Sequence, residues 1–436
     1  MKPRTIVILW IIAIVLGASV AVVKLSQGKE NKDATKRLPG QTLLTDLPAN
    51  DISSIAISGL DQSVTLEKKG TNWLVSQRDD YPANSRNIND LLRTLAELKI
   101  TQGIEAGPSF APRFGMDESA SKPADHGLTA TFKDAAGKEL AKVSFGKNLD
   151  AAASSSPFGG GATGRYVRNH ADESGFYAVS EVFGTLSPDP KSWLAEDFLI
   201  IEKIQTISVS KAGSDEVEWA VTRDDENSDF KFKDATAGET IDAAVAAPLK
   251  SLFSYARFDD VVPAAEVAKR ATPDKLQKTT ITTFEGFDYT IAFQPAKAIE
   301  AKAGADEEAA LPATDNFLMT IEVSATLPAE RKKDKDEKEE DAKTKDQAFA
   351  DRLKTLTGRL DKEKALSGRT FEVSKFTVEA LLKNRTALVS KAPAEAPAPP
   401  PPGPGTSAVT PPFQIPAQPA LEEAPQEMPE PELPEE

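Results

Sequence analysis

Two stretches of the sequence share one pattern: WLVSQRDD at residues 73–80 and WAVTRDD at residues 219–225. The aspartate pairs that end them admit two interpretations, a duplicated acid/base or metal site, or a duplicated structural module. Adjacent residues on an extended strand point to opposite faces, so neighbouring carboxylates converge poorly on one proton or cation. We therefore favour the structural interpretation, in which Trp73 and Trp219 fill the same core position and the aspartates sit where a strand exits into a loop.

Strand patterns surround both stretches. ISSIAIS (residues 52–58) precedes the first tryptophan and IQTISVS (residues 204–210) precedes the second. Both alternate apolar and polar residues, the period of a strand with one buried face. Later apolar segments recur in the same order in the two halves, at residues 128–134, 140–146, 165–168 and 175–186 and then at 278–286, 289–294, 319–324 and 370–382.

One amphipathic helix is expected in each half. Asn84 or Ser85 can cap the first helix, whose apolar face is Ile88, Leu91, Leu92, Leu95 and Leu98. Thr240 can cap the second, with Ile241, Val245, Leu249, Leu252 and Phe253 on one face, although Pro248 would weaken or kink it. The pattern predicts an α+β fold of two tandem related modules, residues 44–197 and 198–392, each a mostly antiparallel sheet with one main helix.

Composition excludes several classes of protein. The 436 residues carry a formal charge of −15, which opposes binding to the phosphates of nucleic acid. The chain has no cysteine, which excludes disulfides, thiolate nucleophiles and cysteine-containing zinc sites.

The N-terminal segment MKPRTIVILWIIAIVLGASVAVVK predicts a single membrane span at residues 5–23, with residues 1–4 as a short cytoplasmic tail and 24–43 as a linker. The alternative is a cleaved signal peptide, but the apolar run continues past the small residues 19–21 to Val23, which favours a retained anchor. Lysines follow the span as well as precede it. The short leading tail nevertheless favours an orientation with the bulk of the chain outside the cytoplasmic membrane.

The sequence assigns no catalytic, cofactor-binding or metal-binding residue. The two histidines, His126 and His170, lie in polar stretches without a second histidine at metal-ligand spacing, and we expect them in solvated loops. SSSPFGGGATG (residues 154–164) leads into the strand pattern RYVR, so it predicts a hairpin loop rather than a phosphate-binding loop. The sequence also lacks a Gly-x-Ser-x-Gly elbow, a His-Glu-x-x-His helix and a Walker motif.

Two late segments suggest interaction. Residues 329–366 begin with a dense mixture of charges and continue with Phe349, Leu353, Leu356 and Leu360 at helical spacing. They predict a helical insertion with a solvated first half and a second half that docks on its own module or pairs with a partner. Residues 393–436 are rich in Pro and Glu and predict a disordered acidic tail, either a spacer or a ligand for proline-binding grooves.

With these features in place, the chain resembles the bacterial domain-of-unknown-function family 4340. The resemblance rests on the leading anchor, VTLEKKGTNWLV, YPAN, a leucine-rich helix that ends in ELKI, GRYVR, FYAVS and WLAEDFLII, over residues 44–392. It implies an envelope protein without known catalytic residues, in a family often associated with ABC-type transport systems. The charged insertion and the tail depart from the family pattern.

The leading expectation is a non-enzymatic accessory component of an ABC-type transporter, with a permease and ATPase as partners. Alternatives are a cell-envelope scaffold that uses the acidic tail, and a hydrolase with an unrecognised site. The sequence leaves the transported substrate, the contact face and the oligomeric state unassigned.

Overall fold

The structure, a computed structural model, describes residues 35–150, 161–298, 315–331 and 338–390. Two antiparallel sheets, one of nine strands and one of eight, form its framework, and helices lie between and after the strands. The predicted α+β class is therefore confirmed. The segments expected to form the anchor (5–23) and the tail (393–436) lie outside the described residues.

The first sheet has the strand order β4-β3-β2-β1-β6-β7-β8-β9-β5. The alternation in its first strand is typical, because Ile55 and Ile57 are fully buried between more exposed neighbours. Its strands are β1 Ser54–Ser58, β2 Ser63–Lys69, β3 Asn72–Val75, β4 Tyr81–Pro82, β5 Ile100–Glu105, β6 Leu128–Lys133, β7 Glu139–Asp150, β8 Ala162–Asn169 and β9 Gly175–Val179.

The second sheet has the order β12-β11-β10-β14-β15-β16-β17-β13. Its strands are β10 Ile204–Ser210, β11 Val217–Thr222, β12 Lys231–Phe232, β13 Asp260–Val262, β14 Gln277–Thr283, β15 Phe287–Pro295, β16 Asn316–Ala325 and β17 Thr370–Ser374. The helices of the chain are α1 Ser85–Glu97, α2 Pro123–His126, α3 Ala243–Ala246, α4 Ala264–Arg270, α5 Glu339–Lys364, α6 Lys375–Val378 and α7 Arg385–Leu388.

Once β4 is set aside, the two sheets share one strand order. The order β3-β2-β1-β6-β7-β8-β9-β5 in the first sheet matches β12-β11-β10-β14-β15-β16-β17-β13 in the second. In both sheets the strand at the end of this order comes before its neighbour in the sequence and pairs with the final strand of its sheet. β5 pairs with β9, and β13 pairs with β17.

The prediction that Trp73 and Trp219 fill one equivalent position is wrong. Trp73 lies in β3 and pairs with Lys68 of β2, whereas Trp219 lies in β11 and pairs directly with Val209 of β10. In the matched strands of the first sheet, Val64 faces Ile57 and so takes the place of Trp219. The shared letters therefore fall on neighbouring, not corresponding, strands, because β11 is the counterpart of β2 rather than of β3.

The two predicted helices have different outcomes. Asn84 caps α1, accepting hydrogen bonds from the amides of Arg86 and Asn87 at 3.1 and 3.2 Å, and the predicted apolar face is buried. The second helix is short, since α3 ends at Ala246 and continues as a 3-10 segment, Ala247–Ser251, that contains Pro248. Asp242, not Thr240, caps it through a 2.8 Å hydrogen bond from the amide of Ala244.

The predicted insertion helix is α5, about 39 Å long for its 26 residues. Leu356 is buried and Leu360 packs on the core, so the second half of α5 docks on its own sheet. Tyr289 donates to Glu363 at 2.7 Å, and Arg359 lies 4.7 Å from the centre of the Phe287 ring. The side chains described in the first half, up to Arg352, are mostly exposed.

One hydrophobic core runs through both sheets, from Leu43 to Leu388. It joins the sheets into a compact unit that ends at Ser390. None of the helices in the described part of the chain combines the length and apolar character of a membrane span.

Candidate binding grooves at the junction of the two sheets

Four aromatic rings meet where the sheets join. Tyr81 of β4 lies 5.7 Å from Phe258 and 6.0 Å from Phe371 of β17, in edge-to-face geometry. Phe198, from the segment between the sheets, lies 5.1 and 5.0 Å from the same two phenylalanines. Edge-to-face pairs add stability beyond the area they bury. Burial raises the pKa of Tyr81 to about 12, so its hydroxyl stays protonated and donates to the carbonyl of Asp197 at 3.2 Å.

The first Arg-Asp-Asp run holds this junction together. Arg78 donates to both carboxylate oxygens of Asp260 in β13, at 2.6 and 3.0 Å. Asp79 accepts the amide hydrogen of Ala264, the first residue of α4, at 2.7 Å, and its carbonyl accepts from Arg369 at 3.1 Å. Asp79 adopts a left-handed φ of 51°, which an aspartate tolerates better than most residues. This run therefore makes sheet-to-sheet contacts through Arg78 and Asp79, whereas Asp80 pairs with Lys69 of its own sheet.

The second Arg-Asp-Asp run closes its own turn. Arg223 is buried and donates to the carbonyls of Ile204 and Glu226, both at 2.5 Å. Asp225 accepts the amide hydrogens of Asn227 and Ser228 at 2.9 and 3.0 Å. The two aspartate pairs thus have separate partners, and the contacts of both are structural ones.

A first groove of about 540 Å³ opens beside the junction, and we call it the charged groove. Arg270 donates to both oxygens of Glu372 at 2.7 and 2.8 Å, and Asn316 donates to Glu372 at 2.7 Å. The hydrogen bonds from Arg270 outweigh burial and lower the pKa of Glu372. Lys375 pairs with Asp315 at 3.0 Å on the rim. A carboxylate held ionised by such partners is poorly suited to act as a general acid or base near neutral pH.

A second groove, also about 540 Å³, runs along the segment that connects the sheets, and we call it the tyrosine groove. Leu194, Phe198 and Phe258 supply apolar lining. Tyr255 on its edge is 90% exposed, and Ile200 is 50% exposed. Large apolar side chains left in water beside a groove are typical of sites that bind another molecule.

The histidines do not come together in a site. Nδ1 of His126 is 3.1 Å from the carbonyl oxygen of Gly127. Nε2 of His170 is 2.8 Å from Oγ of Ser144, and the ring is half-buried rather than in a solvated loop as predicted. Burial, with Arg168 and Lys142 nearby, lowers the pKa of His170 to about 4.

The glycine-rich run that was predicted as a hairpin loop leads into β8. β7 and β8 pair antiparallel, with Asp150 facing Ala162. Of the run predicted as a hairpin loop, residues 154–160 lie outside the described residues. Within the described ranges, no three His, Cys, Asp or Glu side chains are grouped to hold a metal ion.

The sequence alone indicated neither groove, nor the residues of the second sheet that complete the junction. Lys191, Tyr255 and Arg270 follow no recognisable motif. A third aspartate pair, Asp259-Asp260, did carry a signal, because it stands directly before the two valines of β13.

Comparison with known proteins gives one match. The family model described as Domain of unknown function (DUF4340) matches residues 73–281. No curated protein and no solved structure matches the chain. The matched range begins inside β3 and ends inside β14, so it includes only part of each sheet and is narrower than the resemblance over residues 44–392. Residues 73–281 of this chain belong to the domain-of-unknown-function family DUF4340.

Proposed function

We propose that this protein is a non-enzymatic, membrane-anchored accessory component of an ABC-type transport system. Residues 5–23 form its anchor, and two tandem related modules, residues 44–197 and 198–392, lie outside the cytoplasmic membrane. The shared strand order of the two sheets supports a relation between the modules. In this proposal residues 393–436 are a disordered acidic spacer.

The tyrosine groove is the observation that carries the proposal. A tyrosine ring offers a large contact area at low conformational cost, and tyrosine is enriched among the residues that dominate binding energy. With 90% of Tyr255 exposed, its ring can enter a pocket on a partner protein while Ile200 covers the adjacent surface. The partner that fits this role is a permease subunit or its cargo.

The state of the buried charges supports a function without catalysis. Asp260 and Glu372, the buried carboxylates of the junction, each face an arginine that donates two hydrogen bonds. Both pairs join elements of the fold, which accounts for their presence without a reaction.

Cross-linking from the tyrosine groove tests the proposal. Because the chain has no cysteine, Tyr255→Cys introduces a single thiol that can carry a photoactivatable cross-linker in native membranes. We expect a covalent product with an ABC permease subunit, identified by mass spectrometry. The matched control is Phe376→Cys, whose native side chain is 84% exposed but outside the residues that line the tyrosine groove, and it should give no such product.

Deletion of residues 393–436 separates the transport function from the alternative envelope scaffold. The permease product should survive the deletion, because the modules make the contact. Capture of only wall or envelope proteins, lost when the tail is removed, would refute the transport function and assign the scaffold.

A further inference from the structure

The first described residues are bound along one edge of the first sheet. The amide of Gly40 donates to the carbonyl of Ile100 at 2.7 Å, and the amide of Leu43 donates to that of Leu98 at 2.8 Å. Arg37 pairs with Asp172, which is buried. Gly103 lies so close to this segment that a Cβ there would be 2.1 Å from Oγ1 of Thr35. The chain is thus fixed to the β5 edge from Thr35 onward.

This attachment limits how far the β5 edge can be from a bilayer. Residues 24–34, eleven in number, separate the proposed anchor from Thr35. A fully extended chain of that length spans at most about 40 Å. We call this edge the tether rim: residues 35–43, Lys99, β5 and the 3-10 segment Pro108–Phe114 that follows it.

The tether rim exposes side chains that suit a lipid interface. Leu38 is 59% exposed and Phe110 is 50% exposed. Lys36, Lys99 and Arg113 are also exposed, and none of them forms an ion pair with another described residue. Apolar side chains flanked by basic ones are the composition of surfaces that bind anionic membranes.

Charge near the rim favours anionic lipid over the rest of the surface. Residues 24–36, which leave out the paired Arg37, contain four basic and two acidic side chains, a net charge of +2, whereas the whole chain carries −15. Glu105 is exposed on the rim, and Glu173 is exposed beside it, next to Ser174, which accepts from the amide of Lys36. Both carboxylates oppose the attraction, so the basic segment and the apolar pair must outweigh them.

We propose that the tether rim lies on the surface of an anionic bilayer. Leu38 and Phe110 enter the interface, and the basic side chains face lipid phosphates. The inference rests on the anchored topology of the proposed function, but concerns a different surface from the tyrosine groove.

The test uses full-length protein in nanodiscs, with one cysteine introduced at a time. A fluorophore at Leu38→Cys or Phe110→Cys is read against lipids that carry a nitroxide on the headgroup. Tyr255→Cys and Phe376→Cys are the exposed controls. In discs that contain phosphatidylglycerol, we expect several-fold stronger quenching at the two rim positions than at the controls. The double variant Lys36→Glu/Lys99→Glu, and discs of phosphatidylcholine alone, should reduce the quenching at the rim.

The outcomes separate this inference from the proposed function. Protein that is held in the discs but gives equal quenching at all four positions overturns the rim contact and leaves the anchor intact. Protein that does not enter the discs overturns the anchor and the rim contact together. Protection of the two rim positions in native membranes, but not in discs that contain only lipid and this protein, also overturns the inference, because it assigns the rim to a protein partner.

Discussion

Removal of Arg78 tests whether the first Arg-Asp-Asp run joins the two sheets. The Arg78 side chain is 15% exposed and that of Asp260 is 8% exposed, so Arg78→Ala leaves a nearly buried carboxylate without its main partner. Loss of one member of a buried ion pair costs about 3–5 kcal/mol. Asp260 keeps the amide of Val261 at 2.8 Å and Lys191 at 4.0 Å, which offset part of the loss. We therefore expect the free energy of unfolding to fall by about 2–4 kcal/mol.

The assay is urea unfolding of the full-length protein in mild detergent, followed by the fluorescence of the buried Trp73, Trp193 and Trp219. Lys69→Ala is the matched control, because its partner Asp80 belongs to the same run but the two side chains are 58% and 46% exposed. That change should cost far less than Arg78→Ala, because water screens an exposed ion pair. The double variant Arg78→Ala/Asp260→Ala should cost less than the sum of its single variants, since it leaves no stranded charge. If Arg78→Ala were no more damaging than Lys69→Ala, the sheet-to-sheet role of this pair would be refuted.

Three further predictions use the same unfolding assay. Asp79→Ala should lower the free energy of unfolding by about 1–2 kcal/mol, because it removes the acceptor for the amide of Ala264. Asp79→Gly should lower it less, because glycine relieves the left-handed φ of 51°. Equal losses in the two variants would argue against backbone strain at this position. Trp219→Phe should be more damaging than Trp73→Phe by about 1 kcal/mol, because of these two indoles only that of Trp219 has a hydrogen-bond partner in the described structure, the carbonyl of Lys383 at 2.8 Å. The reverse order would contradict a stabilising role for that hydrogen bond. The pKa of His170 is lowered from 6.5 to about 4, so the stability that its neutral form contributes is complete above pH 6.5 and is lost as the pH falls toward 4. His170→Gln should flatten the pH dependence in that window while His126→Gln serves as the histidine control, and an unchanged slope in His170→Gln would count against the effect of burial.

Local patterns predicted the elements that lie inside the sheets. The buried isoleucines of β1 and the apolar face of α1 follow the periods expected of a half-buried strand and an amphipathic helix. The edge strands β5 and β13 were missed, because the pairing of each with β9 or β17 depends on residues far along the chain. The helix expected at residues 240–253 was overestimated, although Pro248 already indicated where it would fail.

The junction illustrates why the grooves could not be predicted. Arg78 and Asp260 are 182 positions apart, and no local pattern pairs a basic residue with one such aspartate among many. The repeated letters around Trp73 and Trp219 were informative about duplication in general but misleading about register, since the two tryptophans lie on strands that do not correspond. Pairing across sheets is decided by tertiary packing, which residue spacing does not encode.

The junction also sets the order in which this protein can mature. A chain synthesised from its N-terminus completes the strands of the first sheet at Val179, yet Tyr81 acquires Phe371 only after the whole second sheet has been made. Asp79 and Arg369, which meet there, are 290 positions apart. Contacts of such long range form late and slowly. An apolar surface that stays exposed until they form is prone to aggregation. The half-synthesised chain therefore depends on being kept apart from its neighbours until its last strand arrives.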